Sequence, residues 1–171
     1  HLIKPGHGFH VDPATLDARD RTDHEPMSDR QLLDEIMTLI IAGHETTASA
    51  LNWFWYLLTQ NPDAAERVAQ EAAAGGSDAP AYERLDAFPY IRRALDEALR
   101  LYPPGWLLTR RSIEASSIGG YALPAGTDVL VSPYLIQRHP DWWPQPDRFD
   151  PDRFLPERNA QRNRFVYLPF G

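Results

Sequence analysis

The chain has 171 residues, with 17 lysines and arginines against 24 aspartates and glutamates, for a net charge of −7. That balance offers phosphates no basic face and excludes a general nucleic-acid binder; it also argues against electrostatic docking on an anionic membrane. These residues contain no cysteine, so within them disulfides, cysteine-based zinc sites and cysteine nucleophiles are excluded.

Residues 1–27 are polar and broken by Pro5, Gly6, Gly8, Pro13 and Pro26, which predicts a loop and the tail of a preceding helix. Ser28 with Gln31 three residues on has the spacing of a capping box, with Asp29 in the first turn. The apolar pattern then runs from Leu32 to Leu58 and stops at Asn61-Pro62, because proline disfavours helix in the residue before it. A helix of about 31 residues is roughly 46 Å long. A compact chain of this size is only about 40 Å across, so the helix fits better as the spine of something larger. A membrane span over 36–58 is opposed by His44, Glu45 and Asn52; a carboxylate at the bilayer centre costs at least ~2.5 kcal/mol.

Residues 62–74 predict a second helix with Pro62 in its first turn, followed by a Gly75-Gly76-Ser77 loop. Leu85 to Leu101 predicts a third, ended by Pro103-Pro104. Ten of the sixteen prolines lie from residue 103 onward, so that region cannot be mainly helical. Short strands fit 107–113 and 128–136, with a hairpin around Gly119-Gly120 and Pro124-Ala125-Gly126 between them. From His139 to Pro156 the prolines impose an irregular, aromatic-rich meander. The fold class is mainly α with small β elements. The opening at His1 and the close on Pro169-Phe170-Gly171 read as a fragment of a longer chain.

Four constellations could carry chemistry. Ala42-Gly43-His44-Glu45-Thr46-Thr47 lies mid-helix, where a glycine and two threonines cost roughly 2 kcal/mol relative to alanine. Gly43 lets something flat approach the backbone. Thr46 can bond back to a carbonyl and open the helix as a π-bulge or kink. Glu45 beside Thr46 makes a proton relay. The same residues also fit a solvated patch or a packing notch. A His-Glu-x-x-His zinc helix fails, because residue 48 is Ala. Glu97 and Arg100, at i, i+3, can pair; as an exposed pair they would contribute only ~0.3–0.5 kcal/mol. Arg110-Arg111 could clamp a carboxylate or phosphate, or form a solvated strand edge. Arg153, within Phe149-Asp150-Pro151-Asp152-Arg153-Phe154, suits a guanidinium turned inward toward an acid, or a solvent-facing one with a buried stem.

In this order and spacing the chain, from about Leu32 to Gly171, resembles the cytochrome P450 family of haem-thiolate monooxygenases. Residues 42–47 look like the oxygen-activation motif of the family's long central I helix. Glu97-Ala98-Leu99-Arg100 looks like the Glu-x-x-Arg of its K helix, after a J helix. Residues 149–154 look like the meander that completes a structural triad, here Glu97, Arg100 and Arg153. Phe165 to Gly171 looks like the lead-in to the haem loop.

The resemblance implies one partial P450 domain over 1–171: a loop or helix tail at 1–27, a helical part at 28–102, and β elements and meander at 103–171. It implies haem b as cofactor, with its cysteine ligand beyond Gly171 and no metal ligand within the chain. Ala42, Gly43, Arg110, Pro169 and Phe170 would contact that cofactor, and Glu45 and Thr46 would be catalytic. Gly105, Trp106, Leu107 and Leu108 would line the substrate pocket. The implied reaction inserts one atom of O2 into a small apolar organic substrate. The implied electron donor is a ferredoxin, a flavodoxin or a fused reductase, with no nucleic acid as partner. Acidic, alanine-rich character points to a cytoplasmic protein. The alternatives are a peroxide-using or isomerase-type haem enzyme of the same fold, and a truncated, haem-free scaffold without activity.

Overall fold

The computed structural model describes residues 28–75 and 86–170. The expectations for 1–27, for Gly76-Ser77, for a helix start at Leu85 and for Gly171 itself lie outside the described residues. The elements are α1 (Asp29–Gln60), α2 (Pro62–Ala74), α3 (Pro89–Leu101), β1 (Leu108–Arg111), β2 (Ser116–Ile118), β3 (Tyr121–Leu123), β4 (Asp128–Val131), α4 (Pro133–Ile136) and α5 (Pro156–Asn159). Short 3-10 turns occupy Pro151–Phe154 and Arg164–Val166. The chain divides into two units, residues 1–42 with 111–128, and residues 43–110 with 129–171.

In the first unit the capping box forms as the spacing predicts. The Ser28 N–H donates to Gln31 Oε1 at 3.0 Å, and the Gln31 N–H donates to Ser28 Oγ at 3.4 Å. β2 and β3 pair antiparallel with Ile118 opposite Tyr121. Their turn holds Gly119 and Gly120 at φ 59° and 87°. A two-residue turn with positive φ at both positions matches strand twist, and only glycine adopts it without cost. At the outer end of the β1–β4 ladder, Arg111 pairs with Asp128 at 2.7 and 2.8 Å.

The second unit holds the core. Phe54, Leu57 and Leu58 repeat at i, i+3 and i+4, so they share one face of α1. They pack with Ala64 and Val68 of α2, with Tyr90, Ala94, Ala98 and Leu101 of α3, and with Phe149. Trp53 stacks on Tyr102 with centroids 3.9 Å apart. A second cluster joins Trp143, Phe154 and Val166.

Three expectations are corrected. The continuous helix expected through 86–88 breaks there and α3 starts at Pro89, because Phe88 before it is held out of the helical region (φ −119°, ψ 54°). The second strand ends at Val131: Pro133 has no N–H for a ladder, and Ser132 instead caps a helical turn by accepting from the Leu135 N–H. The glycine–threonine stretch 42–47 remains α-helix, without a π turn; in a 32-residue helix anchored by core packing, local propensity is overridden. Among the described residues no helix is long and apolar enough to cross a membrane.

Candidate functional site

The best-defined polar arrangement grows from the last turn of α3. Glu97 and Arg100 are both fully buried. Arg100 donates to Glu97 through Nε at 2.6 Å and Nη2 at 2.8 Å. Its Nη1 reaches the Gln137 carbonyl at 2.8 Å and its Nη2 the Arg148 carbonyl at 3.3 Å. The same Glu97 accepts the Asp150 N–H at 2.9 Å and stands 3.3 Å from Arg153 Nε. That last contact is an ion pair without hydrogen-bond alignment, and Arg153 Nε has no hydrogen-bond partner. The pair is therefore no exposed i, i+3 contact: it is a buried carboxylate held between two guanidiniums. Burial pushes Glu97 above the usual carboxylate range, opposed by Arg100, the Asp150 N–H and Arg153.

The meander wraps around this centre. Gln145 takes φ 51°, a strained value for a residue with a side chain, and its carbonyl accepts Arg153 Nη2 at 2.8 Å. Arg162 donates to the Arg153 carbonyl at 2.6 Å and lies 4.2 Å over the Trp143 ring, which also faces Arg100 at 4.9 Å. Burial pulls Arg153 and Arg162 below the usual arginine range. A cleft of about 380 Å³ opens here, lined by Trp142, Arg158 and Arg162 among others. Of the residues chosen from sequence it holds only Arg153.

Outside the Glu97–Arg100–Arg153 cluster, most of the other chosen residues are exposed in this chain. Gly43, Glu45 and Thr46 are exposed on α1, and a Cβ on Gly43 would meet nothing within 4 Å. Ala42 is exposed as well, in the first unit. Gly105, Trp106 and Leu107 are exposed and Leu108 is half-buried. Pro169 is half-buried, while Phe170 is 88% exposed. Arg110 donates to the Thr109 carbonyl at 2.9 Å and has no carboxylate partner among the described residues. The arginine clamp does not form, because strand neighbours point to opposite faces and Arg111 is committed to Asp128.

Sequence reasoning missed Gln137, Gln145, Asp96, Tyr167 and Arg162. Tyr167 donates to both Asp96 O and Asp96 Oδ1, at 3.1 and 2.9 Å. Burial raises the Asp96 carboxyl, opposed by the Tyr167 hydroxyl. The cluster itself had two signals, the i, i+3 spacing of Glu97 and Arg100 and the place of Arg153 between apolar neighbours; the five missed residues had none.

The family model described as Cytochrome P450 matches residues 13–171. The chain belongs to the cytochrome P450 family. It is 48% identical over 160 residues to the P450 relative named cyclooctatin synthase from Streptomyces melanosporofaciens, covering 92% of this chain and 35% of that protein. It is 46% identical to chloroplastic cytochrome P450 97B2 of Glycine max, covering 85% and 31%. It is 38% identical to cyclooctat-9-en-7-ol 5-monooxygenase of S. melanosporofaciens, covering 85% and 32%. Among solved structures, retinoic-acid-bound cyanobacterial CYP120A1 matches with a TM-score of 0.81 and 38% identity, over 88% of this chain and 35% of that one. The chain therefore spans about a third of the length of the P450 relatives it matches.

Proposed function

We propose that these residues form part of one cytochrome P450 domain, that of a haem-thiolate monooxygenase acting on a small apolar organic substrate. The observation that carries this reading is the family match across 13–171, together with identity to relatives named for cyclooctatin synthesis and for a 5-monooxygenation.

The residues present fit the edge of a flat apolar macrocycle bearing carboxylates. Gly43 leaves open space beside the helix. Trp106, Leu107 and Phe170 present exposed apolar surface. Arg110 keeps a guanidinium without an acid partner among the described residues, which suits a propionate. The resemblance to the family implies that a cysteine thiolate outside these residues, which contain none, would be the iron ligand. Bound haem with such a thiolate supplies dioxygen activation and O–O cleavage.

The reaction consumes one O2, two electrons and two protons; one oxygen atom enters a substrate C–H bond and the other leaves as water. The electrons come from a ferredoxin, a flavodoxin or a fused reductase. This chain's own part is proton handling: Thr46 holds a proton at Oγ1 on the face beside Gly43, and the adjacent carboxylate of Glu45 replenishes it. Trp106, Leu107 and Leu108 give the substrate apolar contact and exclude water. The Glu97–Arg100–Arg153 cluster holds the meander and takes no part in proton transfer.

The test is Thr46→Ala in the complete polypeptide. Product formed per reducing equivalent consumed should fall several-fold while haem content is kept; an unchanged ratio rejects the assignment. Turnover with hydrogen peroxide at the rate of the reductase-driven reaction would favour a peroxide-using enzyme instead.

A further inference from the structure

We propose that Gln137 is a positioning residue for the haem-ligand loop, acting through the main chain at Leu168; the inference rests on the haem-thiolate reading above. Gln137 has no exposed surface, and its side chain is fully committed. Its Nε2 donates to the Leu99 and Arg100 carbonyls at 3.1 and 3.0 Å, and its Oε1 accepts the Leu168 N–H at 2.7 Å. Its main-chain carbonyl accepts Arg100 Nη1 at 2.8 Å. One side chain thus joins the end of α3 to the segment that runs to Gly171.

The location matters. Leu168 is followed by Pro169, which has no N–H, so the Leu168 N–H is the last main-chain donor before Phe170. Tyr167, one residue earlier, is tied to Asp96 on the same helix. The chain therefore leaves α3 from a point clasped twice. Each further residue reaches at most ~3.6 Å, so a ligand a few residues on inherits any displacement of Leu168. Only an amide offers two donors and an acceptor at once. Glutamate keeps the acceptor, and methionine keeps the volume but neither function.

The experiment uses the complete polypeptide as wild type, Gln137→Met and Gln137→Glu. Three quantities are read: hydrogen–deuterium exchange at the Leu168 amide, the ferrous–carbon monoxide absorption spectrum, and far-ultraviolet circular dichroism as a check on folding. Folded Q137M should exchange at Leu168 about tenfold faster, as expected for one lost buried hydrogen bond, and should lose the thiolate-ligated spectrum at least several-fold. Q137E keeps the acceptor for the Leu168 N–H but sets an oxygen with no proton to donate against the Leu99 and Arg100 carbonyls, so both readouts should change in the same direction as in Q137M, by less. A folded Q137M in which either readout stays at the wild-type level overturns the proposal. If Q137M does not fold, Q137E decides: both readouts changing together supports the proposal, and either readout staying at the wild-type level overturns it. A wild-type protein that takes up no haem refutes the functional reading instead, and does so before any variant is compared.

Discussion

Glu97→Gln tests the buried cluster with almost no change of volume. Glu97 Oε2 accepts Arg100 Nε at 2.6 Å, while Oε1 accepts Arg100 Nη2 and the Asp150 N–H and faces Arg153 Nε. An amide can keep one oxygen, but its NH2 group must then face an N–H donor. Two guanidiniums, one fully buried and one 8% exposed, are left without their anion. Removing one partner of a buried ion pair typically costs about 3–5 kcal/mol, a large part of the 5–15 kcal/mol typical of a folded domain. At a urea slope of about 2 kcal/mol per molar, the unfolding midpoint of E97Q should fall by roughly 1.5–2.5 M. In a double-mutant cycle with Arg100→Met, the coupling energy should exceed about 1 kcal/mol. A midpoint within 0.3 M of wild type, on the order of the scatter of such titrations, would show that the cluster does not hold the fold.

Asp96→Asn turns on pH. Burial sets the folded-state Asp96 above its ordinary value, so the folded chain binds that proton more tightly than the unfolded chain. Stability is therefore lost as pH rises through the window between the two values, and the loss is complete above it. Asparagine cannot ionise and still accepts from the Tyr167 hydroxyl. D96N should be more stable than wild type at pH 7, with the gap shrinking at pH 4; urea midpoints at the two pH values decide, and a pH-independent gap refutes the argument. Glu71 accepts the Tyr90 and Ile91 N–H groups at 2.9 and 2.7 Å, capping α3 from α2. Glu71→Ala should cost about 1–2 kcal/mol, read by thermal or urea unfolding with helix content followed by circular dichroism.

What the sequence made legible was local. Ser28 with Gln31 announced the start of α1, and Pro62 that of α2, because capping and proline geometry act within one turn. The paired glycines 119 and 120 announced the hairpin for the same reason. The start of α3 was misread because helical periodicity outweighed the constraint that Pro89 places on Phe88. The Glu97–Arg100 spacing showed that the two could meet, but not that their face was buried, since burial is decided by residues 137–153. Gln137 carried no signal: it is an uncharged residue whose partners lie 31 to 38 positions away, and its value comes only from long-range placement.

The end of α3 has a consequence for how this protein acquires order. Helices commonly close their last carbonyls with a glycine in the left-handed region, but here Leu99 and Arg100 hand theirs to an amide nearly forty residues downstream. The Tyr102 N–H closes the Ala98 carbonyl locally, but until that amide arrives the Leu99 and Arg100 carbonyls have only water. The helix terminus and the meander should therefore form and melt as one cooperative unit, its rate set by closure of a long loop rather than by the speed at which the helix winds.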